Sequence, residues 1–167
     1  LDGDGNLDCL LSVRGNRPVA IFPGDGQGGF GAKRMVPGLP LAQSSQGGNV
    51  AAADLDGDGA MDVIELDRSA KRVHTWRGLG GWTFGDPSEF LAGNAPAGLV
   101  VEDLDQDGDA DIATGVSDPD PGGSGRPAVV VHRNAGDGTF AVKDKDCVDL
   151  LWSPSDVVAG DLDGDGA

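Results

Sequence analysis

A chain of 167 residues with 28 acidic against 12 basic side chains has a formal charge of −16, which excludes nucleic acid as an expected partner because phosphate binding needs clustered Lys and Arg. Its length suits one ordinary domain, and no apolar run approaches the ~20 residues of a membrane span, so direct membrane insertion is not expected either. With 29 glycines and only 38% hydrophobic residues, the composition would suit disorder unless something offsets the clustered acids.

The chain opens on Leu1-Asp2-Gly3-Asp4-Gly5-Asn6-Leu7-Asp8. The same design recurs intact as Asp54-Leu55-Asp56-Gly57-Asp58-Gly59-Ala60-Met61-Asp62 and as Asp103-Leu104-Asp105-Gln106-Asp107-Gly108-Asp109-Ala110-Asp111, both D-x-D-x-D-G-x-x-D. It begins again at Asp161, Asp163, Asp165 and Gly166, before Ala167. The spacings from Asp2 to Asp56 to Asp105 to Asp163 are 54, 49 and 58 residues, a period that signals a repeat architecture. Because the first copy starts at its second position and the last is cut short, the chain reads as a segment of something longer, with any secretion signal upstream.

Between the loops the same order of elements is spelled out each time. After the first loop come a short apolar strand (Cys9, Leu10, Leu11), a β-branched one (Val19 to Phe22) and a glycine turn ending at Phe30. Val50, Ala51, Ala52 and Ala53 lead into the second loop, followed by Asp62-Val63-Ile64, Arg72 to Trp76 and a turn, Gly80-Gly81-Trp82-Thr83-Phe84. Leu99, Val100 and Val101 lead into the third, followed by Asp111-Ile112-Ala113, Ala128 to His132 and Gly136-Asp137-Gly138-Thr139-Phe140, while Val157, Val158 and Ala159 precede the last. A fourth strand is expected to start at each turn phenylalanine. Four strands per unit without a sustained 3.6-residue period make antiparallel meanders, and ~50 residues is the size of a propeller blade. The expected fold is therefore all-β: a partial β-propeller over 1–167, with repeats 1–53, 54–102 and 103–160 and the start of a fourth loop at 161–167. Small side chains at Ala51, Ala53 and Gly160 suit the crowded innermost strand. Leu1, Leu55, Leu104 and Leu162, all at the second position, are expected to point between blades.

Carboxylates on alternate residues of a tight loop converge on one point, which suits a hard divalent cation held by about 6–8 oxygens, Ca2+ before the smaller and stricter Mg2+. Left empty, such loops would crowd like charges, so cation binding is expected to supply folding free energy. Residues 54 to 65 also fit the EF-hand expression in full, with Glu65 in the bidentate place. The sister loops have Leu11 and Thr114 there and none of the flanks is helical in pattern, so an EF-hand is not expected and Glu65 is carried away from the metal.

Loop, following strand and G-D-G-T-F turn together resemble the FG-GAP/VCBS repeat family, and the blades of integrin α-subunit propellers, over essentially the whole chain. The resemblance implies seven-bladed propellers in secreted or cell-surface proteins, with Ca2+ in the loop between the first two strands of a blade. Carried over by position, it implies carboxylate ligands at Asp54, Asp56, Asp58 and Asp62 and at Asp103, Asp105, Asp107 and Asp111. The carbonyls of Ala60 and Asp109 would add to them, with Asn6 in the same slot of the first loop. In the partial loops the ligands would be Asp2, Asp4 and Asp8, then Asp161, Asp163 and Asp165. The Gly80-Gly81-Trp82 turn and the insertion at 118–123 depart from the pattern at the surface. Three blades cannot close a ring, for which four to eight are usual, so either more chain or further copies are expected.

No nucleophile with its base and no carboxylate pair outside the loops stands out, so no catalysis is expected. His74 and His132 read as polar surface on half-exposed strands, and Arg68, Lys71 and Arg72 beside Asp67 as a solvated hairpin. Cys9 and Cys147 are too few for a disulfide framework; they read as buried thiols or as a bridge, and the sequence does not choose. Trp76, Trp82 and Trp152 are candidates for stacking on sugars or anchoring a protein, with packing between blades as the alternative. The segment 117–126 is the expected recognition loop. The expected role is a calcium-stabilised extracellular or cell-surface module for adhesive binding of glycan or protein. The alternatives are a non-catalytic part of a secreted polysaccharide-degrading enzyme and a self-assembling surface component.

Overall fold

The computed structural model describes residues 1–12, 19–36, 48–119, 125–162 and 164, with the backbone alone for 141–146. Among them the fold is all-β, in three antiparallel meanders. The first sheet is β1 (Cys9–Leu11), β2 (Ala20–Phe22) and β3 (Arg34–Met35). The second is β4 (Val50–Ala53), β5 (Asp62–Asp67), β6 (Arg72–Trp76) and β7 (Ser88–Leu91). The third is β8 (Ala97–Glu102), β9 (Asp111–Val116), β10 (Ala128–Asn134) and β11 (Phe140–Asp149).

The sheets pack face to face, with β4 beside both β1 and β8 and β7 beside β11. All six residues of β5 are buried, Val63 toward the first sheet and Ile64 and Leu66 toward the third, and β9 is likewise buried along its whole length. Two parallel sets of side chains fill the gaps. Between the first and second sheets lie Val19, Ile21 and Val36 against Val63 and Trp76, with Leu1, Trp82 and Phe84 at the margin. Between the second and third lie Leu55, Ile64, Leu66 and Val73 with Ile112, joined by Phe90 and Phe140. Phe90 stands 5.0 Å from Phe140 and 4.6 Å from the ring of His132, centroid to centroid, within the range of favourable ring contacts.

Several expectations are corrected here. Val157, Val158 and Ala159 form no strand; in the other repeats this segment pairs with the strand that follows the loop, and after the last loop no such partner lies among the described residues. The segment instead runs against the third sheet, where Gly98 adopts φ +74° and a β-carbon would meet Val157 N at 2.3 Å. That close approach coincides with a register shift between Ala97 and Val100, a bulge that glycine accommodates. Only Phe140 begins a strand. Phe30 and Phe84 form isolated bridges with Gly24 and Gly78, and β3 and β7 start further on, because the turns ending at these residues close before the sheet ladder resumes.

His74 and His132 are buried, not surface polar groups: His74 lies beside the ring of Trp76 in the second sheet, and His132 of the third packs against Phe90 across the junction between the two. Trp76 is fully buried and Trp82 packs at the sheet junction under the guanidinium of Arg34, so the packing alternative holds for both, whereas Trp152 is 83% exposed. Cys9 and Cys147 are both exposed rather than buried, and no disulfide joins them. Leu55 is buried as expected, but Leu104 is 39% and Leu162 99% exposed, since the sheet that would cover each is not among the described residues. The basic hairpin is solvated yet pinned: Arg68 and Lys71 donate to the side chains of Asn49 and Asn94, and Arg72 pairs with Glu89 at 3.1 Å.

Candidate metal centre

The second and third acidic loops join the first and second strands of their sheets, β4 to β5 and β8 to β9, and the first loop leads into β1. Short-range hydrogen bonds shape them. Asp54 Oδ1 and Oδ2 accept from the N–H groups of Asp58 and Gly59 at 3.2 and 2.9 Å, and Asp103 does the same with Asp107 and Gly108 at 3.2 and 3.0 Å. The fifth-position carboxylate accepts from the seventh-position N–H in all three described loops: Asp4 from Asn6 at 2.8 Å, Asp58 from Ala60 at 2.8 Å and Asp107 from Asp109 at 3.0 Å. Such side-chain turns are what aspartate does in preference to extended structure. They also fix the peptide whose carbonyl, at Ala60 or Asp109, is a candidate donor.

The result is convergence. One oxygen each from Asp54, Asp56 and Asp58, and one each from Asp103, Asp105 and Asp107, lie within 4.8 Å of one another. A three-carboxylate, all-oxygen set on a mostly exposed loop fits a hard cation and suits no soft metal. In the first loop Asp2 and Asp4 hold the corresponding positions, with Asp4 Oδ2 also accepting from Asn6 Nδ2 at 2.8 Å. Asp161 accepts from Gly164 N–H at 2.6 Å, while Asp163 and Asp165 lie outside the described residues.

The ninth-position aspartates lie outside these convergent groups and have a second task that sequence reading missed. Asp62 is buried; its Oδ2 accepts from Leu55 N–H at 2.9 Å and its Oδ1 from Gly78 N–H at 2.6 Å. Asp111 Oδ1 accepts from Asn134 N–H at 2.8 Å, and Asp8 accepts from Gly24 N–H at 3.0 Å and from the amino group of Leu1. In all three described repeats, then, this carboxylate accepts from a backbone N–H at or just past the end of β2, β6 or β10, at Gly24, Gly78 and Asn134. Burial pushes the Asp62 carboxyl up despite these two donors, and Asp56 and Asp54 add to the rise. Asp111 is raised for the same first reason, with Asp107 and Asp103 contributing, and its Oδ2 is buried without a hydrogen-bond partner. A buried, unpartnered carboxylate oxygen next to more carboxylates is the arrangement a divalent cation would relieve.

Asn134 is a further residue that the sequence did not single out. Its Nδ2 donates to Leu55 O in the second loop at 2.7 Å and to Ala110 O in the third at 3.1 Å, while its Oδ1 accepts from Gly136 and Gly138 N–H at 3.1 Å each. One side chain thus fastens two loops and a glycine turn. The only signal for it was its place between the predicted strand, which stops at His132, and the G-D-G turn that begins at Gly136.

Glu65 sits well away from the loop, buried and accepting from Ser12 Oγ at 2.6 Å, so the EF-hand match is one of spelling. Of the expected recognition segment, residues 120–124 lie outside the described residues; Ser117, Asp118 and Pro119 are half-buried and Gly125 and Arg126 exposed. No helix among the described residues is long and apolar enough to cross a membrane.

Comparison with known proteins gave no match among curated proteins or solved structures. The family model for the FG-GAP-like repeat matches residues 1–65 and again 54–114, each stretch running from one acidic loop to beyond the next. With repeat, loop and sheet agreeing over most of its length, the chain belongs to the FG-GAP-like repeat family.

Proposed function

We propose that this chain is a calcium-stabilised β-propeller-type module of an extracellular or cell-surface protein, which binds glycan or protein without turning it over. The observation that carries the reading is the pair of convergent carboxylate triads, each seated on a buried aspartate that anchors the loop to the sheets. Asp54, Asp56 and Asp58, with the carbonyl of Ala60, would hold one ion, and Asp103, Asp105 and Asp107, with that of Asp109, another. Asp62 and Asp111 still have lone pairs to offer, because a carboxylate can accept about four contacts. The first and last loops would hold theirs through Asp2, Asp4, Asn6 and Asp8 and through Asp161, Asp163 and Asp165.

Neutralising the triads would turn a repulsive loop into a rigid one, and this links the cation to the fold. The adhesive surface would be the segment 117–126 together with the exposed Trp152. Membership of a structural repeat family and typical extracellular use of such repeats support the reading. A second reading, that the stack is extended by further repeats or by copies of itself, is favoured by Phe30. It is 60% exposed at the place where Phe84 and Phe140 pack between sheets.

The test is thermal unfolding with calcium and with EDTA, followed by a glycan and surface-protein array in both. Calcium should raise the melting temperature in a concentration-dependent way, as RT ln(1 + [L]/Kd) requires, at affinities of about 10⁻⁴–10⁻³ M typical of extracellular modules. Identical melting curves would end the calcium reading. Cleavage of a polysaccharide by this chain would end the claim of binding without turnover.

A further inference from the structure

Arginine stands against the acids of the second and third loops, and among the described residues none does so in the first. Arg77 follows β6 and Arg133 lies in β10; each immediately precedes the residue, Gly78 or Asn134, whose N–H donates to the ninth-position aspartate. They therefore occupy the same place in their repeats. Arg77 Nε lies 2.6 Å from Asp56 Oδ2 and its Nη2 2.8 Å from Asp58 Oδ2, so the planar fork spans two carboxylates of the triad. Arg133 Nη1 contacts Asp105 Oδ2, the third-position carboxylate again. In the first repeat that place is Pro23, before Gly24, and Asp4 meets the neutral amide of Asn6 instead.

The same oxygens cannot serve a guanidinium and a divalent cation equally well, because the two positive charges repel at close range. Both arginine side chains reach solvent, at 58% and 39% exposure, and long stems let such a head group turn to water. Resting on the calcium reading above, we propose that Arg77 and Arg133 are internal counter-cations. Each holds its loop closed while no divalent cation is present and swings aside as one binds, so the second and third loops bind the cation more weakly, and depend on it less, than they would without the arginine. The affinity of each of these two loops is thereby set in part by a residue outside the repeat motif.

The test uses the 167-residue chain, the double variant Arg77→Gln with Arg133→Gln, and the double variant Arg77→Lys with Arg133→Lys, which keeps the charge and loses the fork. Calcium titration by calorimetry and melting in EDTA are read on each. The glutamine variant should bind calcium about tenfold more tightly at two sites and melt lower in EDTA, so that calcium shifts its melting temperature more than that of the unmodified chain. The lysine variant should fall between. Unchanged affinity together with unchanged EDTA melting would overturn the proposal, and so would weaker binding, which would make the arginines orienters of the ligands. If the unmodified chain takes up no calcium, displacement fails along with the reading beneath it. The EDTA melting then decides whether arginine holds the loops, with equal curves again refuting it. Should the glutamine variant not fold, the lysine variant carries the comparison in the same two measurements.

Discussion

The second and third sheets follow one plan and differ in how much of it is completed by a neighbour. Leu55, at the second position of its loop, is 3% exposed because the third sheet closes over it, whereas Leu104, at the same position one repeat on, is 39% exposed. In the middle of the second sheet Glu65 pairs with His74 across the ladder; in the third the equivalent pair is Thr114 with Val130. The difference teaches that a repeat of this kind is finished by its successor, and that the buried Glu65 and His74 of the second sheet give way to smaller side chains at the same register of the third, which keeps other buried polar groups in His132 and Asn134.

Breaking the cover should show the largest effect. Leu55→Ala should cost about 2–4 kcal/mol by chemical denaturation, as buried leucine truncations do, while Leu104→Ala should cost less than about 1 kcal/mol. Equal costs would mean that the third sheet does not support the second loop. Next comes the bracket between them: Asn134→Ala would strand the carbonyls of Leu55 and Ala110, at about 1–3 kcal/mol. It should also speed amide exchange in both loops, and acceleration confined to the third would show that the bracket does not reach the second.

The histidine supplies a pH test. Burial pushes the His74 imidazole below its ordinary value, an effect that Glu89 and Asp67 only partly oppose. The unfolded chain therefore takes up a proton that the folded one resists, so stability is fully present above the unfolded value near 6.5 and falls as pH drops from there toward the depressed folded value. Replacement by the third sheet's residue, His74→Val, should flatten that limb of the melting profile between pH 7 and 5, and an unchanged limb would assign it to other groups. The smallest effect is expected at Gln106, which carries φ +63° where the second loop has Gly57 at +69°. Gln106→Gly should stabilise the third loop by a few tenths to about 1 kcal/mol, read from the urea midpoint.

Local pattern was legible in the sequence, and relations between distant residues were not. The acidic loops, β4, β6 and the second strands were plain, because alternate aspartates, β-branched runs and glycine turns act within a few residues of one another. The clamp at Asp62 and Asp111 was hidden because its donors lie 16 and 23 residues further on, with nothing in glycine or in a backbone N–H to advertise the contact. His74 and His132 were misplaced for a related reason: alternation along a strand tells which side a residue faces, but not what packs against that side. The segment 157–159 has the composition of a strand, yet a strand needs hydrogen-bonding partners, and those are supplied by other parts of the chain.

The two junctions between sheets use the same kinds of contact. Leu1 meets Val63 and Phe84 at one, and Leu55 meets Ile112 and Phe140 at the other. Each repeat thus offers one standard coupling forward and one backward. Duplicating or deleting a whole unit would leave every new junction made of a pairing already in use, so a lineage of such chains can lengthen or shorten in steps of about 50 residues without inventing an interface. Changes of half a unit would set loop leucine against the wrong strand. Selection on these genes should therefore tolerate copy-number change and reject frame shifts within the repeat.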